Sequence, residues 1–393
     1  MTDSPYLASR LHGFGTTIFA EMSALAVANH AINLGQGFPD TDGPVEVFDA
    51  AVTAIRAGQN QYPPGIGTPE LRAAIAAHRL HWYGQTFDAD TEVLVTAGAT
   101  EAIAATILAL CEPGDEVVTF EPYYDSYAAS ISMAGAQRRV VQLRTPDWSF
   151  DPDALRAAIT PRTKLLLLNS PHNPTGKVFS RDELALVARL CVDHDLVAVT
   201  DEVYEHLVFE GEHLPLANFP GMADRTITIS SAGKTFSCTG WKIGWVCARP
   251  DLVAAVRTAK QFLTYVNGAP FQPAVAVGLG LPDDRIRSIG EELGATHRHL
   301  SVGLAAAGFT VLPSHGTYFV TVDIRAFGET DGLAFCRSLP DRCGVVAVPS
   351  VVFYDDKDEG SPLVRFACCK KPAVIDEAVE RLSQLVGWDG SAG

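Results

Sequence analysis

Lys234 and Lys242 stand eight residues apart in the run 230–245, otherwise built mostly of small side chains. A β-rich stretch, 226–230, feeds the loop that carries Lys234, and Lys242 follows in a turn bounded by Gly240, Trp241 and Gly244. Small neighbours let a bulky group lie against the backbone. A lysine amine so placed can condense with a carbonyl as a Schiff base. Two other chemistries share these letters. Gly233-Lys234-Thr235 could close a P-loop, but position 228 is threonine where that motif requires glycine. Ser231 and Lys234 have the Ser-x-x-Lys spacing of a penicillin-binding or β-lactamase nucleophile, yet no Ser-Asp-Asn or Lys-Thr-Gly follows. A solvated loop lysine is the plainest alternative, and the motifs elsewhere in the chain weigh against it.

Residues 96–102 read as a strand end, a turn of small residues at Gly98, Ala99 and Thr100, and a helix start. Bare N–H groups at the positive end of a helix make a natural phosphate seat. Glu121-Pro122-Tyr123-Tyr124 follows another strand and offers aromatic faces on which a flat ring can stack. In the run 169–176 two prolines and a glycine fix a loop around Asn173. Asp201 ends an apolar strand, with Tyr204 three residues on; an Asp there could also cap a helix. Arg365 interrupts an apolar strand, and a buried guanidinium needs a carboxylate, from a ligand or from a structural ion pair. Gly37 lies in a Gly/Pro loop, 34–40, and Tyr62 in a Tyr-Pro-Pro-Gly loop.

In this order the motifs resemble the class I and II pyridoxal-phosphate aminotransferases, and the resemblance runs from Gly37 to Arg365. It implies pyridoxal 5'-phosphate as cofactor and transfer of an amino group between an L-amino acid and a 2-oxo acid. Lys234 would hold the cofactor aldehyde and act as the catalytic base. Ser231, Lys242, Gly98, Ala99 and Thr100 would hold the phosphate. Tyr124 would stack on the ring, with Tyr123 a rival one residue away. Asn173 and Tyr204 would bond the ring hydroxyl, and Asp201 would keep the ring nitrogen protonated. Arg365 and Gly37 would take the substrate carboxylate beside Asn173, and Phe19 would face the substrate side chain. Tyr62 would act in trans on the partner's phosphate, so a homodimer is implied. His172, Glu202 and Glu205 are expected to be structural or peripheral. The finer match, in residues 17–23 and 231–245, is to the branch holding kynurenine, glutamine–phenylpyruvate and methionine aminotransferases. Actinobacterial N-succinyldiaminopimelate aminotransferases are similar too. N-succinyl-LL-2,6-diaminopimelate, with glutamate and 2-oxoglutarate, ranks first among substrates. Kynurenine, glutamine and methionine compete with it, and β-elimination from cysteine conjugates would use the same carbanion.

These residues need a scaffold. Apolar runs at 92–96, 116–120, 164–169, 196–201, 226–230 and 244–248 alternate with helical stretches, the pattern of a mainly parallel sheet flanked by helices. Ligands of such sheets sit beyond the carboxyl ends of the strands. Helices are expected at 18–28 (amphipathic), 45–57 and 69–82. After about residue 282 a long helix, 284–307, precedes strands at 309–312, 318–323, 345–348 and 363–368 and a last helix, 373–386. This α/β reading gives a large cofactor-binding domain at 46–282 and a smaller α+β domain at 283–393. Residues 1–45 form an N-terminal arm and join the smaller domain.

The 393 residues exceed what one hydrophobic core normally supports. A net charge of −16 without a Lys/Arg run argues against a nucleic-acid surface, and no basic module ahead of residue 34 supports a transcription-regulator reading. The eight cysteines show no metal-like spacing, and no stretch has the length of a signal peptide or membrane span. A cytoplasmic protein without a metal is expected.

Overall fold

The structure is a computed structural model that describes residues 6–15 and 17–385. Residues 1–5 and 16 of the expected N-terminal arm, and Val386, the expected end of the last helix, lie outside the described residues. Helix α1 (Ile18–Ala28) starts where the Thr17 hydroxyl accepts from the Ala20 N–H. It is less amphipathic than expected: Met22 and Ala26 are buried, but Val27 is 77% exposed. Strand β1 (Ile32–Asn33) follows, then α2 (Val45–Arg56) and α3 (Pro69–Tyr83). Thr68 caps α3, and Pro69 occupies its first position, where no N–H is needed.

The large sheet is built next. Its strands are β2 (Val93–Ala97), β3 (Glu116–Glu121), β4 (Gln137–Gln142), β5 (Thr163–Asn169), β6 (Val197–Asp201), β7 (Thr226–Ser231) and β8 (Ile243–Cys247). Between them run α4 (Gly98–Leu110), α5 (Asp125–Met133), α6 (Pro152–Ala158), α7 (Arg181–Asp193) and the short α8 (Ala232–Thr235). The spatial order is β2-β8-β7-β6-β5-β3-β4, with β8 antiparallel to both neighbours and every other pair parallel. Leu165 and Leu167 of β5 join one core cluster and Leu166 and Leu168 the other. Consecutive leucines can all be buried only in a strand covered on both faces. The sequence reading omits β4. That edge strand reads Gln-Arg-Arg-Val-Val-Gln and keeps one face in water, so its apolar signal is weak.

Helices α9 (Pro250–Lys260) and α10 (Phe271–Leu279) lead to the long α11 (Asp283–Ala306). The smaller domain then adds β9 (Thr310–Val311), β10 (Phe319–Asp323), α12 (Gly332–Cys343), β11 (Val345–Val346), β12 (Val348–Pro349), α13 (Lys357–Gly360), β13 (Leu363–Ala367) and α14 (Pro372–Ser383). The order β12-β13-β10-β9 forms an antiparallel sheet. The single strand expected at 345–348 is in fact two, because the chain changes sheets there: β11 pairs in parallel with β1, and β12 with β13. The β1–β11 pairing ties the N-terminal segment to the smaller domain. Among the described residues no helix is long and apolar enough to cross a membrane.

Candidate active site

Strands β5, β6 and β7 end side by side: Asn169 is in register with Asp201, and Asp201 with Ile229, two residues before Ser231. Their carboxyl ends therefore open into one cavity of about 290 Å³, at the place that parallel sheets reserve for ligands. Lys234 lines it from α8. Its Nζ donates to the Tyr318 hydroxyl at 2.8 Å, and that hydroxyl donates to the Gly37 carbonyl at 2.6 Å. The chain of bonds spans three separate parts of the sequence. Burial lowers the Lys234 pKa to about 8, so far more of the amine is neutral near physiological pH than in an exposed lysine.

One end of the cavity is cationic and rich in donors. Helix α4 begins at Gly98, whose φ of +73° suits glycine. Across from it β8 passes so close that a Cβ on Gly244 would come within 2.5 Å of the Gly98 carbonyl carbon. That approach holds Lys242 beside the helix start, and a Cβ on Gly98 would stand 3.3 Å from Lys242 Nζ. Ala99, Thr100 and Ser231 complete this end. An anion with several oxygens fits here.

At the middle, Asp201 is 4% exposed and accepts from the Tyr127 hydroxyl at 2.6 Å. Burial raises its pKa to about 6, and no cation forms an ion pair with it among the described residues. Tyr204 is buried nearby, its pKa pushed up by the same desolvation. Tyr124 lines the cavity edge-on to Tyr127, with ring centroids 5.7 Å apart. Tyr123 turns away: its hydroxyl donates to Asp355 at 2.7 Å outside this cavity.

At the other end lies Arg365, 2% exposed, in β13. It donates to Asn173 Oδ1 at 2.9 Å and to the Gly35 carbonyl at 3.3 Å. Its guanidinium carbon sits 3.9 Å from the Phe319 ring centroid, 4.9 Å from that of Phe353 and 5.4 Å from that of Phe19. No carboxylate forms an ion pair with it among the described residues, its Nε lacks a partner, and burial lowers its pKa to about 10. The structural ion pair allowed by the sequence is therefore absent among the described residues. Gly37 is fixed by crowding, since a Cβ would come within 2.7 Å of both the Tyr318 and Phe319 rings.

The cavity thus gathers Phe19, Gly37, Gly98, Ala99, Thr100, Tyr124, Asn173, Asp201, Tyr204, Ser231, Lys234, Lys242 and Arg365. Tyr62 is not among them. It is 81% exposed and meets Tyr265 edge-on at 5.6 Å. Sequence reasoning missed Tyr127, Asn169, Tyr318 and Phe319. Asn169, whose Oδ1 accepts from the Asn173 N–H at 2.6 Å, is the last residue of the expected strand 164–169, and that position was the signal that could have found it. His172 is buried outside the cavity and bonds Thr175. Glu202 and Glu205 face away from Asp201 and Tyr204 into a buried network with Arg79, at 2.9 and 2.7 Å. They do not line the cavity, and both are buried.

Residues 29–382 match the family "Aminotransferase class I and II". The chain belongs to that family. This aminotransferase is 54% identical over 389 residues to the probable N-succinyldiaminopimelate aminotransferase DapC of Mycobacterium tuberculosis, covering 96% of this chain and 98% of that protein. It is 38% identical to the methionine aminotransferase of Escherichia coli, covering 98% of this chain and 100% of that one. Among solved structures, the N-succinyldiaminopimelate aminotransferase from M. tuberculosis superposes with a TM-score of 0.95, covering 96% of this chain and 100% of that chain.

Members of the family work with pyridoxal phosphate, and the residues present fit that group. The donor set at the start of α4 matches a phosphate. Asp201, buried without a paired cation, suits a protonated ring nitrogen. Lys234 offers an amine within the same cavity. The enzyme is a pyridoxal-phosphate-dependent aminotransferase that acts on small amino and oxo acids.

Proposed function

We propose that this aminotransferase moves the amino group between N-succinyl-LL-2,6-diaminopimelate and 2-oxoglutarate, with glutamate as the paired amino acid. The observation that carries this reading is the 54% identity over nearly the whole of DapC, against 38% for the methionine enzyme and 35% for rat kynurenine–oxoglutarate transaminase 3. In this reading Arg365 takes the substrate α-carboxylate through its planar fork, a role supported by its lack of any carboxylate partner among the described residues. Asn173, whose Oδ1 is engaged by Arg365, keeps its two N–H donors for the ring oxygen, which Tyr204 also bonds. Ser231, Lys242 and the first N–H groups of α4 hold the phosphate, and Tyr124 lies against the ring. Bound pyridoxal phosphate supplies an aldehyde carbon to receive nitrogen and a ring that withdraws the electron pair left at the α-carbon. Lys234, largely neutral above pH 8, would remove the α-proton and return it to the cofactor's aldehyde carbon, two bonds away across the nitrogen. Tyr318, its hydroxyl held by the Gly37 carbonyl, positions the Lys234 amine once it is free.

The working unit is proposed to be a homodimer in which Tyr62 serves the partner's site. Tyr62, Phe262, Leu263 and Tyr265 are exposed together with Val52, Ile55 and Val277 of the packed pair α2 and α10. That much apolar surface favours a partner. A cytoplasmic location is supported by eight free, buried cysteines.

The deciding experiment compares kcat/KM for the succinylated compound, methionine, kynurenine and glutamine, since specificity is a difference in transition-state binding. The succinylated compound is expected to rank first. A rank tenfold or more below methionine or kynurenine, about 1.4 kcal/mol, overturns the reading.

A further inference from the structure

Next to the catalytic cavity lies a second one of about 720 Å³, between the N-terminal arm, α5 and the loop before α13. The two share walls along the chain. Phe19 and Tyr124 face the first, while their neighbours Ile18 and Asp125 face the second. Val352 lines the second beside Phe353, whose ring supports Arg365. Asp125 lies near enough to Arg365 for each charge to act on the other, so it marks the junction.

The charges beyond the junction are mainly positive. Arg138 is held by Asp355 through two bonds. Arg10 forms no ion pair with a described residue, and its backbone carbonyl, accepting from the Ser132 hydroxyl, anchors the arm to α5. Lys357 points its ammonium only at the backbone carbonyls of Val351 and Tyr354. The second cavity therefore offers two cations without a direct ion-pair partner among the described residues, although Asp355, already bound to Arg138, lies near enough to Lys357 to feel its charge.

We infer that this cavity is a subsite for the far, carboxylate-bearing end of a long acylated amino acid, with Arg10 and Lys357 as its specificity residues. The inference rests on the substrate class proposed above and supplies the distal cations that the sequence does not identify. Length is what Asp125 selects. A short dicarboxylate, held at Arg365, brings its second carboxylate to the junction, where Asp125 repels it. A longer tail carries its charge past Asp125 to Arg10 and Lys357, and an amide N–H midway can donate to Asp125.

The test uses two donors that differ only in the terminal carboxylate: the N-succinyl and the N-acetyl derivatives of diaminopimelate. In a two-stage exchange each kcat/KM reports its own half-reaction, so the partner oxo acid does not blur the comparison. The holoenzyme is expected to prefer the succinyl compound at least tenfold. Arg10→Gln, an exposed change, and Lys357→Met are each expected to cut that preference severalfold, through KM, and the double variant to bring it near one. Damage to the loop or the arm would lower both donors together and leave the ratio standing. A ratio near one in the wild type overturns the subsite, and so does a ratio that survives in the double variant. The substrate class itself stands or falls separately, on its rank against methionine.

Discussion

At the residue scale the site stores its chemistry in groups kept away from their ordinary protonation. Asp201 has its pKa raised from the model-peptide value near 3.8 to about 6. The folded state therefore holds its proton more tightly than the unfolded chain does. Stability falls as pH rises from about 4 to 6, and the full cost is present above pH 6. That cost is on the order of 3 kcal/mol. Asp201→Asn is thus expected to raise the melting temperature of the cofactor-free protein by a few degrees at pH 7.5, with the gain gone below pH 4. The same change should abolish turnover. Calorimetry at the two pH values checks it, and an equal gain at both would show that ionisation is not the cause. Arg365 makes a complementary case. Arg365→Lys keeps the charge and loses the fork, and kcat/KM is expected to fall about a hundredfold for every amino acid donor. A loss confined to one donor would mean that the residue reads the side chain instead. Lys234→Ala should end turnover, and borohydride reduction of the loaded enzyme should label Lys234; a label on Lys242 or Lys260 would displace the assignment.

At the scale of elements, what was legible in the sequence and what was not divides along a physical line. Lys234, Asn173 and Asp201 could be read because each sits at or a few residues past the end of an apolar strand, and strand ends are local features. Tyr318 and Arg79 could not, because their partners, Lys234 and Glu205, lie 84 and 126 residues away. The one-residue choice between Tyr123 and Tyr124 turns on a bond to Asp355 that no spacing foretells. A similar long-range device holds the loops at the end of α9. Lys260, 1% exposed, donates to the carbonyls of Gly65 and Tyr265, while Thr264 bonds Glu101 of α4. These bonds connect the loop of Tyr62 to the helix whose start forms the anion seat. Lys260→Met removes the bonds to two part-buried carbonyls, on the order of 1 kcal/mol each. The expected results are a lower melting temperature and weaker cofactor retention, read by calorimetry and by dialysis. Unchanged retention would mean that the loops hold without this tie.

For the whole molecule, the exposed position of Tyr62 makes the strongest prediction about assembly. If it serves the partner's site, Tyr62→Ala and Lys234→Ala chains should each be nearly inactive alone. Mixed through denaturation and refolding, they should form hybrids in which one of the two sites is intact, restoring about a quarter of wild-type activity. No recovery on mixing, or full activity in a monomer by sedimentation, would remove Tyr62 from the mechanism. The division of labour inside one chain has a different consequence. The lysine, the anion seat and Asp201 come from the large sheet, whereas Tyr318 and Arg365 come from the small antiparallel one, and the crossing between them passes through exposed Pro282. A backbone cut at Pro282 is expected to leave two pieces inactive apart, one with Lys234, Asp201 and the start of α4, the other with Tyr318 and Arg365. Fused to two proteins that meet in a cell, the pieces would turn over substrate only when brought together, so the fold already contains the halves of a split-enzyme reporter.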